Sequence, residues 1–135
     1  MVSHGITVRL VPDSFLDIRE RETNRSFCLL LEHDRGTEQQ EHFRRRIQAY
    51  RKFLSSGAYK QALGINGVLV AFTTFLNNRV PQMREWTRAE LASDKQLRSM
   101  FIFAELPQPL EARNLLFEQR WYTLTQDNPI ALLGE

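Results

Sequence analysis

"SFCLLLEHDRGTEQQEHFRRRIQAYRKF", residues 26–53, changes character in its middle. Its first half is a nearly continuous apolar run, the pattern of a strand covered on both faces. Strand alternation puts Cys28, Leu30, Glu32 and Asp34 on one face and Leu29, Leu31 and His33 on the other. Gly36 ends the strand. Thr37, with Gln40 three residues on, has the form of a capping box, so a helix is expected from about Glu38 to Ser55 or Ser56. Phe43, Ile47, Tyr50 and Leu54 recur at helical spacing and form its core stripe. Arg44, Arg45, Gln48, Arg51 and Lys52 fall on the opposite side. Arg46 lies about 40° from Tyr50 on the helical wheel, at the edge of the apolar stripe, and Gln39 shares that edge. Both are expected to lean toward the sheet.

Upstream, "ITVRLV" (residues 6–11) alternates like a half-buried strand, Pro12-Asp13 breaks it, and "SFLDIRE" resumes extended character from Ser14. The three strands are expected to form an antiparallel meander. Downstream, "GVLVAFTT" reads as a second buried strand. A strand, a helix and another buried strand make a crossover unit with parallel strands. Pro81 is suited to a helix start, with Met83, Trp86 and Leu91 facing the core and an end near Ser93. "SMFIFAEL" is a further strand. "LEARNLLFEQRWYTL" suggests a short helix leading to an apolar end that packs Trp121 and Tyr122. The expected order is β-β-β-α-β-α-β: an α/β fold, a mixed β-sheet with flanking helices, in a single domain over residues 1–135.

At 135 residues, with one cysteine, the chain is long enough for one core and cannot form an internal disulfide framework or a thiolate metal site. No apolar run is long enough to span a bilayer and no signal-peptide pattern opens the chain, so a cytoplasmic protein is expected. The net charge is only +2. Residues 35–60, however, hold seven basic groups against Glu38 and Glu41, a local excess suited to a polyanion. A solvated helix face explains the same excess equally well.

Glu32 and Asp34 point the same way, about 7 Å apart along their strand. Asp13 opens the preceding strand, and in a hairpin it reaches the same end of the sheet. Carboxylates converging there would suit Mg²⁺, which takes one or two of them with water and phosphate oxygens. Such an ion could activate water for phosphodiester cleavage. Solvated strand ends are the ordinary alternative. His33 faces away and reads as a strand-end residue, Cys28 as a buried hydrophobe, and Arg79 and Arg84 as a solvated helix start.

"VPDSFLDI" followed by "FCLLLEHD" and a helix resembles the PD-(D/E)xK core of restriction-endonuclease-like nucleases. More closely, "PDSFLDI", "LLLEHDRGTE", "RRRIQAY" and "GVLVAFTT" look like the replication-relaxation family, over roughly residues 8–125. The resemblance implies a nuclease-like, DNA-binding domain tied to the replication or relaxation of plasmid or mobile-element DNA. Carried over residue by residue, Asp13 and Glu32 match the metal-binding acids, and Mg²⁺ is the implied cofactor. Asp34 stands where the family pattern has its catalytic lysine. Arg46, on the following helix, is the residue placed to replace it, and arginine stabilises charge rather than acting as a base. The catalytic set implied is therefore Asp13, Glu32, Asp34 and Arg46, with Arg44, Arg45, Arg51 and Lys52 contacting DNA. The nuclease core usually begins with a helix, whereas this sequence starts almost directly at its first expected strand. The family's N-terminal DNA-binding region has no counterpart in the given sequence, so the expectation is a fragment, a shorter relative, or a separate N-terminal region or subunit as partner. A sheet face left exposed would favour a homodimer. The alternative function is a catalytically inactive nuclease fold serving as a DNA-binding or dimerisation module.

Overall fold

The computed structural model describes residues 2–3, 6–7, 12–21, 25–36, 39–57, 67–107 and 111–133. Its elements are β1 (Val2–Ser3), β2 (Ile6–Thr7), β3 (Ser14–Glu20), β4 (Arg25–Asp34), α1 (Gln40–Ser55), β5 (Val68–Thr74), α2 (Arg79–Glu90), a 3-10 turn (Lys95–Met100), β6 (Phe101–Glu105), α3 (Ala112–Phe117) and β7 (Tyr122–Thr123). Strands β3 to β7 form one five-stranded sheet in sequence order. Its centre, β4-β5-β6, is parallel, and both outer pairings are antiparallel. This is the mixed α/β sheet with flanking helices that the sequence pattern implies.

Among the described residues, the expected three-stranded meander is reduced to the β3-β4 hairpin. Ile6–Thr7 pairs instead with Val2–Ser3, in a separate two-stranded sheet. A pairing so close in sequence closes a very short loop and loses little chain entropy. Residues 8–11 of the expected first strand lie outside the described residues.

The alternation in β4 sorts the core as expected. Cys28 and Leu30 pack under α1 and α2 with Phe43, Ile47, Tyr50, Leu54, Val70, Phe72, Met83 and Phe103. Leu29 faces the other side, where Ala71, Ile102, Trp121 and Leu132 form a second cluster. Two crossovers of one hand running in one direction across the sheet put both helices on the same face. The C-terminal segment covers much of the face they leave open. Trp121 Nε1 donates to the Leu115 carbonyl at 2.7 Å, and Trp121 and Ile130 exchange backbone hydrogen bonds.

The helix boundaries differ from expectation at their starts. Helix α1 begins at Gln40, with extended Gln39 as its N-cap and no side-chain cap bond. The expected capping residue Thr37 and first helical residue Glu38 lie outside the described residues. Since Gln39 precedes the helix, the helical wheel does not reach it, and its side chain is exposed rather than aimed at the sheet. Helix α2 begins two residues before Pro81, which sits in the first turn where its missing N–H leaves no bond unmade. Gly57 follows α1 at φ 75°, the left-handed position that glycine fills at a helix end. No described helix is long and apolar enough to cross a membrane.

Candidate functional site

The acidic residues lie at the carboxyl ends of the parallel strands, the edge where open α/β sheets place their ligands. The β3-β4 register pairs Ser14 with Leu31, so the next position across from Glu32 is Asp13. On the other side Glu32 pairs with Phe72 and Asp34 with Thr74. Glu32 and Asp34 are both buried, whereas Asp13 is exposed.

Glu32 projects from β4 under α1. The Tyr50 hydroxyl donates a short hydrogen bond to its Oε2. Arg46 Nη1 lies 3.2 Å from its Oε1. Arg46 and Tyr50 are one helical turn apart, and both reach the same carboxylate because that turn faces the sheet. Burial first, and then the bond to Glu32, push the Tyr50 phenol well above its ordinary range, so it stays protonated and remains a donor. Asp13 contributes to the same upward push, which puts it within electrostatic reach of the phenol.

Asp34 has a different partner. Arg79, the first residue of α2, grips it with two parallel bonds, Nε to Oδ2 at 2.8 Å and Nη2 to Oδ1 at 3.1 Å. Arg79 also donates to Gln82, and its guanidinium lies 5.0 Å from the centre of the Trp86 ring. The expectation of a solvated Arg79 is therefore corrected: it is buried, because Asp34 needs a counter-charge inside the fold. Arg84 is also tied in, donating to the carbonyls of Thr123 and Gln126. Asp13 accepts the His33 backbone N–H at Oδ2, 2.8 Å away. The His33 ring points to the opposite face, against Thr73 and Phe75. Cys28 is buried, and its thiol is pushed up to about 11 by burial and, secondarily, by Asp17 directly across the hairpin.

The four arginines and lysines expected to meet DNA divide into two pairs. Arg44 Nε lies 2.5 Å from Glu90 Oε1, and Gln48 holds the other oxygen of the same carboxylate. Arg51 donates to the Glu90 carbonyl and lies 3.7 Å from Asp94. These two cations join α1 to α2. Arg45 instead bonds Glu41 one turn away, with both side chains largely in solvent, and Lys52 is exposed. Arg44 and Arg45 also line a shallow groove of about 520 Å³ with Gln39, Gln40, Glu41 and Gln48.

The donor set does not suit a divalent cation as it is arranged. Each buried carboxylate already faces a guanidinium, which repels a second cation, and both Glu32 oxygens are engaged. Among the described residues no three His, Cys, Asp or Glu side chains group as metal ligands.

The helical wheel leaned Arg46 toward the sheet, the family resemblance tied it to the acidic site, and the structure sets it against Glu32. Sequence reasoning read Tyr50 chiefly as a core residue, although a hydroxyl four residues from Arg46 on the same stripe was the available signal. It missed Glu90, and it gave no sign of the Arg79–Asp34 pair, whose partners are 45 residues apart.

A family model described as replication-relaxation matches residues 2–69, half of the chain, from β1 into β5. No curated protein and no solved structure matches the chain.

Proposed function

The chain belongs to the replication-relaxation family, and from that premise we propose that it is a nuclease-like DNA-binding domain acting in the replication or relaxation of mobile DNA, without metal-dependent cleavage of its own. One observation carries the second half of this reading: both buried acids at the strand ends, Glu32 and Asp34, are neutralised by guanidinium groups. Such an arrangement holds structure together and leaves little negative charge to attract Mg²⁺. DNA contact is assigned to the outer face of α1, where Arg45 and Lys52 are exposed and Arg44 is partly so. Phosphate neutralisation by these side chains gives affinity without reading sequence.

A second reading is Mg²⁺-dependent phosphodiester hydrolysis at Asp13 and Glu32. It is favoured by the hairpin register, which sets Asp13 across from Glu32, and by the resemblance to PD-(D/E)xK nucleases. One experiment separates the two. Supercoiled plasmid is incubated with the protein and Mg²⁺ or Mn²⁺, while DNA affinity is followed by fluorescence anisotropy over a salt series. The first reading expects salt-dependent binding and no nicking in any divalent ion. Nicking lost in both Asp13→Ala and Glu32→Gln, with their folds intact by circular dichroism, would establish the second. Asp13→Ala is the cleaner variant, because Asp13 is exposed.

A further inference from the structure

Among the described residues, β3 pairs only with β4, so its outer edge presents unbonded backbone groups along seven residues. Edge strands are ordinarily blunted by charged side chains, lysine above all, by proline, by bulges or by a covering element. Strand β3 has no proline or lysine within it, and it keeps regular pairing with β4 along its whole length. It also exposes apolar side chains on both faces: Phe15, 48% exposed, on the α1 side and Leu16, 43% exposed, on the other. Asp17 and Arg19 flank Ile18 and are exposed as well.

We propose that β3 pairs antiparallel with β3 of a second copy, in the register centred on Ile18, joining two five-stranded sheets into one. Geometry and charge favour this register over those centred on its two neighbours. A two-fold axis perpendicular to the sheet keeps each residue on its own face, so only residues of like parity can oppose one another. Centring on Asp17 sets two carboxylates directly opposite, and centring on Arg19 sets two guanidiniums opposite. Both arrangements are repulsive. Centring on Ile18 sets Asp17 of each copy against Arg19 of the other, twice, and Ile18 against itself. Phe15 then opposes Arg21, where the ring and the alkyl stem can pack. The same axis puts the α1 helices of both copies on one side of the joined sheet.

The test is sedimentation of the full chain over a concentration series. The parent is expected to rise to twice the 15.9 kDa chain mass. Asp17→Arg and Arg19→Asp alone each turn two attractions into two repulsions and should weaken the dimer by roughly tenfold or more. The double variant D17R/R19D restores both pairs and should recover parental affinity within about threefold. A parent that stays at the mass of one chain overturns the proposal, as do single variants that dimerise like the parent or a double variant as weak as the singles.

Discussion

Glu32 is 4% exposed yet faces both a hydrogen-bond donor and a cation, and the two are not equivalent. The Tyr50 hydroxyl is neutral, whereas Arg46 supplies the counter-charge. Tyr50→Phe removes one bond and leaves the charge compensated, so a loss of about 1–2 kcal/mol in denaturant unfolding is expected. Arg46→Met takes the guanidinium away from a buried carboxylate and is expected to lose about 3–5 kcal/mol. If the two losses are alike, Arg46 is not the group that compensates Glu32. Tyr50 also predicts a pH response. Its folded-state pKa is raised above the unfolded value of 10.0, so the folded chain keeps a proton that the unfolded chain releases. Its contribution is therefore complete below about pH 10 and declines as pH rises further. Thermal midpoints should fall more steeply above that pH in the parent than in Tyr50→Phe. Asp34→Ala removes the carboxylate that faces the buried Arg79 guanidinium and is expected to lose about 3–5 kcal/mol. Here neither partner is exposed enough for water to take over.

Helix α1 has three working sides: a stripe toward the core, Arg46 toward Glu32, and the cations toward α2 and solvent. Charge counting cannot separate the last two groups, because Arg44 and Arg51 look like Arg45 and Lys52 on a wheel. Their partners Glu90 and Asp94 belong to α2 and the turn after it. DNA affinity should therefore respond unevenly. Arg45→Ala and Lys52→Ala should each lower the salt slope of binding by about one. Arg51→Ala should change it less and lower stability instead, as anisotropy and thermal melts on the same samples would show. The β4–α1 connection gives a second test at this scale. Gly36 has φ 81°, and a Cβ there would come within 1.8 Å of a Leu76 methyl. Leu76 is an exposed, flexible side chain that can swing away, so the lasting penalty of Gly36→Ala is backbone strain, about 1 kcal/mol. Gly36→Ala in a Leu76→Ala background should lose a similar amount. A much smaller loss there would mean that the clash, not φ, is the main term.

Across the molecule, the sheet has a helical side and a side closed by the C-terminal segment. Trp121 is the largest fully buried side chain of that closure. Trp121→Ala should lose about 3–5 kcal/mol and expose the second cluster to hydrophobic dyes, although the residue lies far from the acidic edge in sequence. The architecture was legible because period-two and period-3.6 patterns are local. The β4 run showed which of its residues share a face, the α1 stripe named its four buried residues, and the two crossovers implied the parallel centre. Part of the acidic edge was legible for the same reason, since helical geometry alone leans Arg46 toward the sheet that carries Glu32. The remainder was not. Arg79 and Asp34 are 45 residues apart, and Arg44 and Glu90 are 46 apart, with no period linking either pair. The pairing of β7 with β6 likewise depended on which hydrophobic surface the helices left uncovered. Local periodicity was enough to set the faces, the strand–helix–strand units and the placing of two acids on one side of β4. Only the tertiary structure decided that each acid meets a guanidinium rather than open solvent, because a buried charge takes its partner from whichever element packs beside it.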